Sequence, residues 1–172
     1  MKLVLLLAAL LALPAHAQTP PGTKPLIDIS RVAVAGGVGY DWHNGDALNP
    51  VPVFKKEFVA GVHAAYVLTE HWSAAAAAVY GVDNKQLRLS PGMHYRFRAG
   101  EQFFALGLSY DYYAGKPPAV PFFAHEWAAS FIYARPLTKS LLLGLSETYG
   151  MDNREWRTSL GIRFPLWIGG NS

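Results

Sequence analysis

The sequence predicts an all-β fold: an eight-stranded, antiparallel, up-and-down transmembrane β-barrel with a polar interior filled by side chains. Three observations point to it. Apolar or aromatic residues recur at every second position in eight separate stretches, which places them on one strand face and the intervening residues on the other. Hydrophobic residues make up 51% of the chain and aromatics 13%, yet charged residues only 16%. A water-soluble domain carries about 25% charged residues, so part of this surface faces something other than water. Finally, no run beyond the first residues reaches the ~18 uninterrupted apolar residues of a membrane helix. Backbone groups in hydrocarbon are satisfied only within helices or closed barrels, so strands must do the spanning.

The first 17 residues read as a secretory signal peptide. Lys2 supplies the positive charge, Leu3 to Leu13 the apolar core, and Ala15-His16-Ala17 the small-x-small site, so cleavage is expected after Ala17. Residues 18–30 follow as an extended lead-in, opened by the proline-rich Q-T-P-P-G-T-K-P. The barrel domain is expected over 31–168, with a short tail at 169–172.

Strand one, about 31–43, sends Val32, Val34, Val38, Tyr40 and Trp42 one way and Ala33, Ala35, Gly37, Gly39 and Asp41 the other. Asn44 to Val53 is a loop. Strand two, about 54–68, turns Phe58, Val62 and Tyr66 outward and Lys55, Glu57, Gly61 and His63 inward. Strand three, about 72–82, holds five alanines that favour helix over strand. Trp72 and Tyr80 share its parity eight residues apart, the spacing that puts an aromatic at each membrane interface. Strand four, about 86–98, points Leu87, Leu89, Met93, Tyr95 and Phe97 out and Arg88, Ser90, His94 and Arg96 in; Pro91 predicts a local bulge.

Strand five, about 102–113, presents Phe104, Leu106, Leu108, Tyr110 and Tyr112 outward and Ser109 and Asp111 inward. After a proline-rich loop at 114–121, strand six, about 122–134, sets Trp127, Phe131 and Tyr133 outward and Glu126 inward, and Arg135 to Thr138 form a turn. Strand seven, about 139–151, has Leu141, Leu143, Leu145 and Tyr149 outward. Glu147 breaks its parity, as a bulge or a position beyond the hydrocarbon would allow. The last strand, 155–167, alternates Trp156, Thr158, Leu160, Ile162, Phe164 and Leu166 with Arg157, Ser159, Gly161 and Arg163. Arginines sharing a face with glycine and serine suit a cramped polar interior.

The order Ser159-x-Gly161-x-x-Phe164-x-Leu166 resembles the C-terminal assembly signal of bacterial outer-membrane β-barrels. Together with the eight alternating stretches, it makes the mature chain similar to the family of small eight-stranded outer-membrane proteins that includes the OmpA membrane domain, OmpX and the lipid A-modifying barrels. The resemblance implies an outer-membrane location, folding by the barrel assembly machinery, and a monomer surrounded by outer-membrane lipids and lipopolysaccharide, with no cofactor. An even strand count puts both ends of the barrel on the periplasmic side. The connections at 44–53, 83–85, 114–121 and 152–153 then face outside, and those at 69–71, 99–101 and 135–138 the periplasm. The aromatic girdle comprises Tyr40, Trp42, Tyr66, Trp72, Tyr80, Tyr95, Tyr112, Trp127, Tyr133, Tyr149 and Trp156.

Inward positions collect Arg31, Asp41, Lys55, Glu57, Arg88, Arg96, Asp111, Glu126, Arg157 and Arg163, with His94 among them. An eight-stranded barrel is just wide enough for side chains to fill, and unpaired buried charge is costly. A lumenal network of paired charges is therefore expected, without an open pore.

Other chemistry finds little support. The chain has no cysteine. Its net charge of +3, or +2 once Lys2 leaves, is too weak and dispersed for nucleic acid. The histidines show no paired metal-ligand spacing. The lone His-x-Ser, His71-Trp72-Ser73, sits at a predicted periplasmic turn, away from the outer rim where a lipid A deacylase would carry its site. No catalytic or metal residue is assigned. The reading is a structural or surface-interaction barrel; the alternatives are a lipid A- or phospholipid-modifying acyl hydrolase or transferase, a narrow channel and, at the level of fold, a soluble sandwich.

Overall fold

The computed structural model describes residues 28–115 and 122–168. The expected signal peptide and its cleavage site, most of the expected lead-in, most of the 114–121 loop and the expected 169–172 tail lie outside the described residues. A short 3-10 turn, Ile29–Arg31, leads into eight strands: β1 Val32–Gly45, β2 Glu57–Val67, β3 Trp72–Gly81, β4 Gln86–Ala99, β5 Gln102–Gly115, β6 His125–Thr138, β7 Leu141–Gly150 and β8 Glu155–Ile168. Each pairs antiparallel with the next, and β1 pairs with β8, closing the barrel in the order β1 to β8. The connections at 46–56, 82–85 and 151–154, with residues 122–124, gather at one end, the loop mouth. Short turns at 68–71, 100–101 and 139–140 gather at the other, the turn mouth.

The alternating pattern sets the two faces. Large apolar residues such as Phe58, Leu106, Trp127 and Leu166 are exposed on the outer wall, while Asp41, Asp111, Glu126 and Arg157 are buried on the inner one. That inversion is the arrangement of a barrel solvated by lipid. The alanine run is a strand because each residue is paired on both sides: Ala74, for example, lies between Tyr66 of β2 and Met93 of β4. Closure overrides local helix propensity, which is a weak prior. Trp72 and Tyr80 are both exposed, at opposite ends of β3.

The seam between β1 and β8 is tight. A β-carbon on Gly161 would meet the Val38 carbonyl at 2.6 Å, and one on Gly39 the Leu160 carbonyl at 2.7 Å. Gly39 and Gly161 face each other in register, so only glycine lets the two backbones approach this closely.

Several expectations are corrected. Pro91 makes no bulge: β4 stays in register with β3 through Pro91↔Ala76, and with β5 on either side of it. The register shifts occur beside two other prolines, at Pro136 on β6 and opposite Pro165 on β8. Residues 135–138 belong to β6 rather than to a turn. The β5–β6 ladder ends at Ala134, so Pro136 lies where one flank has no partner strand to receive an amide. Strand two begins at Glu57 and strand six at His125, because Phe54 and Phe122 are drawn into the loop mouth. Glu147 sits in unbroken register with Phe131 and Thr158, faces outward and accepts a hydrogen bond from the Thr158 hydroxyl at 2.9 Å. Its outward neighbour Tyr149 packs on Trp156 at 4.9 Å, which puts the carboxylate beside the loop-end aromatic belt.

Candidate functional site

The polar groups of the barrel converge at and just below the loop mouth. Three inward glutamates at strand ends each hold a neighbouring connection by its backbone. Glu57 accepts from the Asn84 amide at 2.9 Å, and Glu126 from the Asn153 amide at 3.0 Å. Glu155 accepts from the amides of Val53 at 2.5 Å and Phe54 at 3.2 Å, while its other oxygen lies 2.5 Å from His43 Nδ1. A carboxylate that takes several charge-assisted hydrogen bonds orders a loop far better than a neutral acceptor does.

The first two latches are copies of one device, 69 residues apart. Tyr80-Gly81-Val82-Asp83-Asn84-Lys85 recurs as Tyr149-Gly150-Met151-Asp152-Asn153-Arg154. Lys85 and Arg154 both take φ of 54° at the same turn position. Asn84 clasps the Lys55 backbone, donating to its carbonyl at 2.7 Å and accepting from its amide at 3.0 Å. Asn153 does the same to Phe123 at 3.1 and 2.7 Å. In each copy a β-carbon on the glycine would collide with the carboxylate, of Glu57 at Gly81 and of Glu126 at Gly150.

Below the latches lies a layer of four alternating charges. Arg88 on β4 is 3.6 Å from Asp41 on β1, and Arg157 on β8 is 3.2 Å from Asp111 on β5. Arg88 also approaches Asp111 at 4.0 Å, which links the two pairs. Arg157 donates to the Tyr113 hydroxyl at 3.3 Å, and Tyr113 donates to Glu126 at 2.8 Å. Asp41 and Asp111 are each 1% exposed, a degree of burial that charged groups tolerate only when countered.

Over this layer sits the apolar cluster of Val53, Phe54, Tyr113 and Phe122. Phe54 stacks on Tyr113 at 5.0 Å and meets Phe122 edge-on at 5.9 Å. The loop between β1 and β2 thus folds back and stoppers the mouth. Its base is tied at Asp46, which accepts from the Leu48 and Asn49 amides and from the Tyr149 hydroxyl, each at 2.8 Å. The Tyr149 hydroxyl above all, then the Asn49 amide, holds the Asp46 carboxyl below its ordinary range.

The filling is uneven. The loop half is occupied by charged and aromatic side chains, whereas a half-open cavity of about 340 Å³, lined largely by alanine and serine, extends below them through the turn half. Of the residues expected in the lumen, Asp41, Glu57, Arg88, Asp111, Glu126 and Arg157 meet in or just above the charged layer. Arg163 lies lower, facing the cavity. Arg31 and Lys55 are corrected, whereas Arg96 borders the same cavity at its turn end. Arg31 is exposed and pairs with Asp28 at 3.4 Å, because it belongs to the 3-10 turn before β1. Lys55 is exposed in the folded-back loop. Arg96 binds the carbonyls of Thr69 and Glu70 at the turn mouth, at 3.1 and 3.4 Å.

The girdle residues all face outward. Tyr40, Trp42, Tyr80, Tyr112, Trp127, Tyr149 and Trp156 lie toward the loop end, and Tyr66, Trp72, Tyr95 and Tyr133 toward the turn end. Within the C-terminal motif, Ser159 and Gly161 face inward, and exposed Phe164 and Leu166 face out. His71 contacts the Arg96 carbonyl at 3.2 Å and the Tyr95 ring, while the Ser73 hydroxyl is buried inside the wall. Sequence reasoning missed Glu155, Asn84, Asn153 and Phe54. The repeated Tyr-Gly-x-Asp-Asn turn was the signal for the two asparagines.

No protein-family model matches the chain, and no curated protein matches it. Solved structures do match its fold. A de novo designed transmembrane β-barrel aligns with a TM-score of 0.55 at 11% identity, covering 78% of this chain and 95% of that one. Neisserial surface protein A aligns at 0.53 and 13% identity, covering 78% and 95%. The N-terminal β-barrel domain of Pseudomonas aeruginosa OprF aligns at 0.50 and 15% identity, covering 79% and 98%. At these identities the likeness is one of fold: a small, closed, eight-stranded transmembrane barrel.

Proposed function

We propose that this protein is an outer-membrane barrel of the OmpX type, with its loop mouth outward, serving a non-enzymatic structural or surface-interaction role. The observation that carries this reading is the stoppered loop mouth. Phe54 and its aromatic neighbours lie over an Asp–Arg layer, and every latch carboxylate is spent on holding loop backbone. Groups bound in this way are poor general bases and leave no continuous wet path, so both catalysis and conduction are disfavoured at this end. The two aromatic belts and the lipid-facing wall support residence in a bilayer. In this orientation the turn mouth faces the periplasm, lipopolysaccharide and phospholipid surround the wall, and the C-terminal Ser159, Gly161, Phe164 and Leu166 serve barrel assembly.

The test compares outer membranes from cells producing the protein with those carrying an empty vector, by lipid mass spectrometry. Heat-dependent gel migration confirms the folded barrel in that fraction. Unchanged acylation of lipid A and phospholipids is expected. A lipid that gains or loses one acyl chain would overturn the non-enzymatic reading in favour of an acyl hydrolase or transferase.

A further inference from the structure

The two halves of the lumen differ in charge. The inward carboxylates Asp41, Glu57, Asp111, Glu126 and Glu155 all lie in the loop half, where cations or backbone amides engage them. The turn-half cavity borders Arg163, His63, His94 and Arg96. Asp111 is the one carboxylate on its wall, and it is already engaged by Arg157 at 3.2 Å and Ser109 at 2.8 Å. Arg163 is different. Among the described residues it makes neither an ion pair nor a hydrogen bond, although Arg88 and Arg157 on the same inner wall are both paired. Its side chain crosses bare backbone, with Nε 3.3 Å from where a β-carbon on Gly144 would stand. Ser73, 1% exposed, borders the same cavity in register opposite His94, and its buried hydroxyl has no partner. A half-buried guanidinium and a buried hydroxyl, both without partners, together call for an acceptor carrying negative charge. The remaining wall, toward the turn mouth, is apolar: Ala33, Phe103, Ile132 and Leu142.

We propose that this cavity is a binding site for a small amphipathic anion. A carboxylate or phosphate head lies against Arg163, His63, His94 and Ser73, and a short alkyl or aryl tail runs along the apolar wall toward the turn mouth. A head of two or three oxygens matches the forked donors of arginine, which bind oxyanions bidentately. A volume of about 340 Å³ holds a compact ligand with a short tail. The site stands on the barrel geometry and is independent of the surface role proposed above.

The experiment titrates the refolded mature protein in nanodiscs with hexanoate, hexyl phosphate, inorganic phosphate and hexanol, following the ring resonances of His63 and His94. Hexanoate or hexyl phosphate should saturate at least tenfold more tightly than hexanol and inorganic phosphate, and the tighter of the two identifies the head. Arg163→Gln should weaken that binding at least tenfold while heat-dependent migration is retained. If that variant fails to fold, Ala75→Leu, which fills the cavity from the opposite wall, should abolish binding instead. Absence of saturable binding by either amphipathic anion would overturn the proposal. So would unchanged affinity in a folded variant, or inorganic phosphate or hexanol binding as tightly as the anion with its tail.

Discussion

The carboxylate of Glu126 lies across Gly150, in the space a β-carbon there would need, and from that position it holds the Asn153 amide at 3.0 Å. Glu57 repeats the arrangement over Gly81 and Asn84. Gly150→Ala and Gly81→Ala should therefore each push a glutamate off its hairpin. Overpacking of this kind costs about 1–3 kcal/mol. The two latches share no partner, so the double variant should lose roughly the sum. The urea midpoint of the refolded barrel, read by gel migration, measures this; unchanged midpoints would refute the latch.

Arg157 is countered by Asp111 at 3.2 Å and by the Tyr113 hydroxyl at 3.3 Å. Removing it leaves Asp111 buried and without its main counter-charge, which costs about 3–5 kcal/mol. Arg157→Gln should destabilise strongly, and Asp111→Asn in the same chain should restore part of the loss. A double-mutant cycle on urea unfolding gives the coupling. A coupling near zero would mean that the layer is held by solvent rather than by the pair.

Glu155 closes the mouth through the Val53 and Phe54 amides and His43. Each charge-assisted bond contributes about 1.5–3 kcal/mol. Glu155→Gln keeps the shape but weakens the acceptor, so the 46–56 loop should open more often. Proteolysis within that loop should accelerate on the order of tenfold, the protease reading the open fraction. An unchanged cleavage rate would place the closure in the aromatic cluster alone.

Asp46 ties the base of the same loop, and its carboxyl is depressed by Tyr149 first and Asn49 second. A depressed folded value means that the anchor is fully present above the unfolded value of about 4. It is lost as pH falls through the lower folded value. Loop protection should hold from neutral pH to about 4 and decline below it, with Asp46→Ala unprotected throughout. Hydrogen exchange of the Leu48 and Asn49 amides reports it; protection unaffected by the substitution would exclude the anchor.

The wall of the barrel was legible in the sequence because lipid and lumen impose a period of two on every strand. Trp72 and Tyr80 outweighed five alanines for that reason. The ends of the strands were less legible. Phe54 continues the outward alternation of strand two in sequence, yet it is turned inward to pack with Tyr113 and Phe122, since a tertiary cluster offers more burial than a further ladder rung. Pro91 was expected to bulge, but its missing amide is absorbed in an unshifted ladder, while Pro136 and Pro165 accompany the real shifts. The charged layer was readable as a set of inward residues. The pairing within it was not, because Asp41 meets Arg88 only once the barrel closes.

The central claim is a membrane-spanning barrel sealed at its loop mouth by Phe54 over the Asp–Arg layer. Single-channel recording of the refolded protein in a planar bilayer tests it most directly. A quiet bilayer is expected after insertion, with brief openings only when Phe54→Ala removes the stopper. A steady ohmic conductance from the unaltered protein, the same in Phe54→Ala, would contradict it.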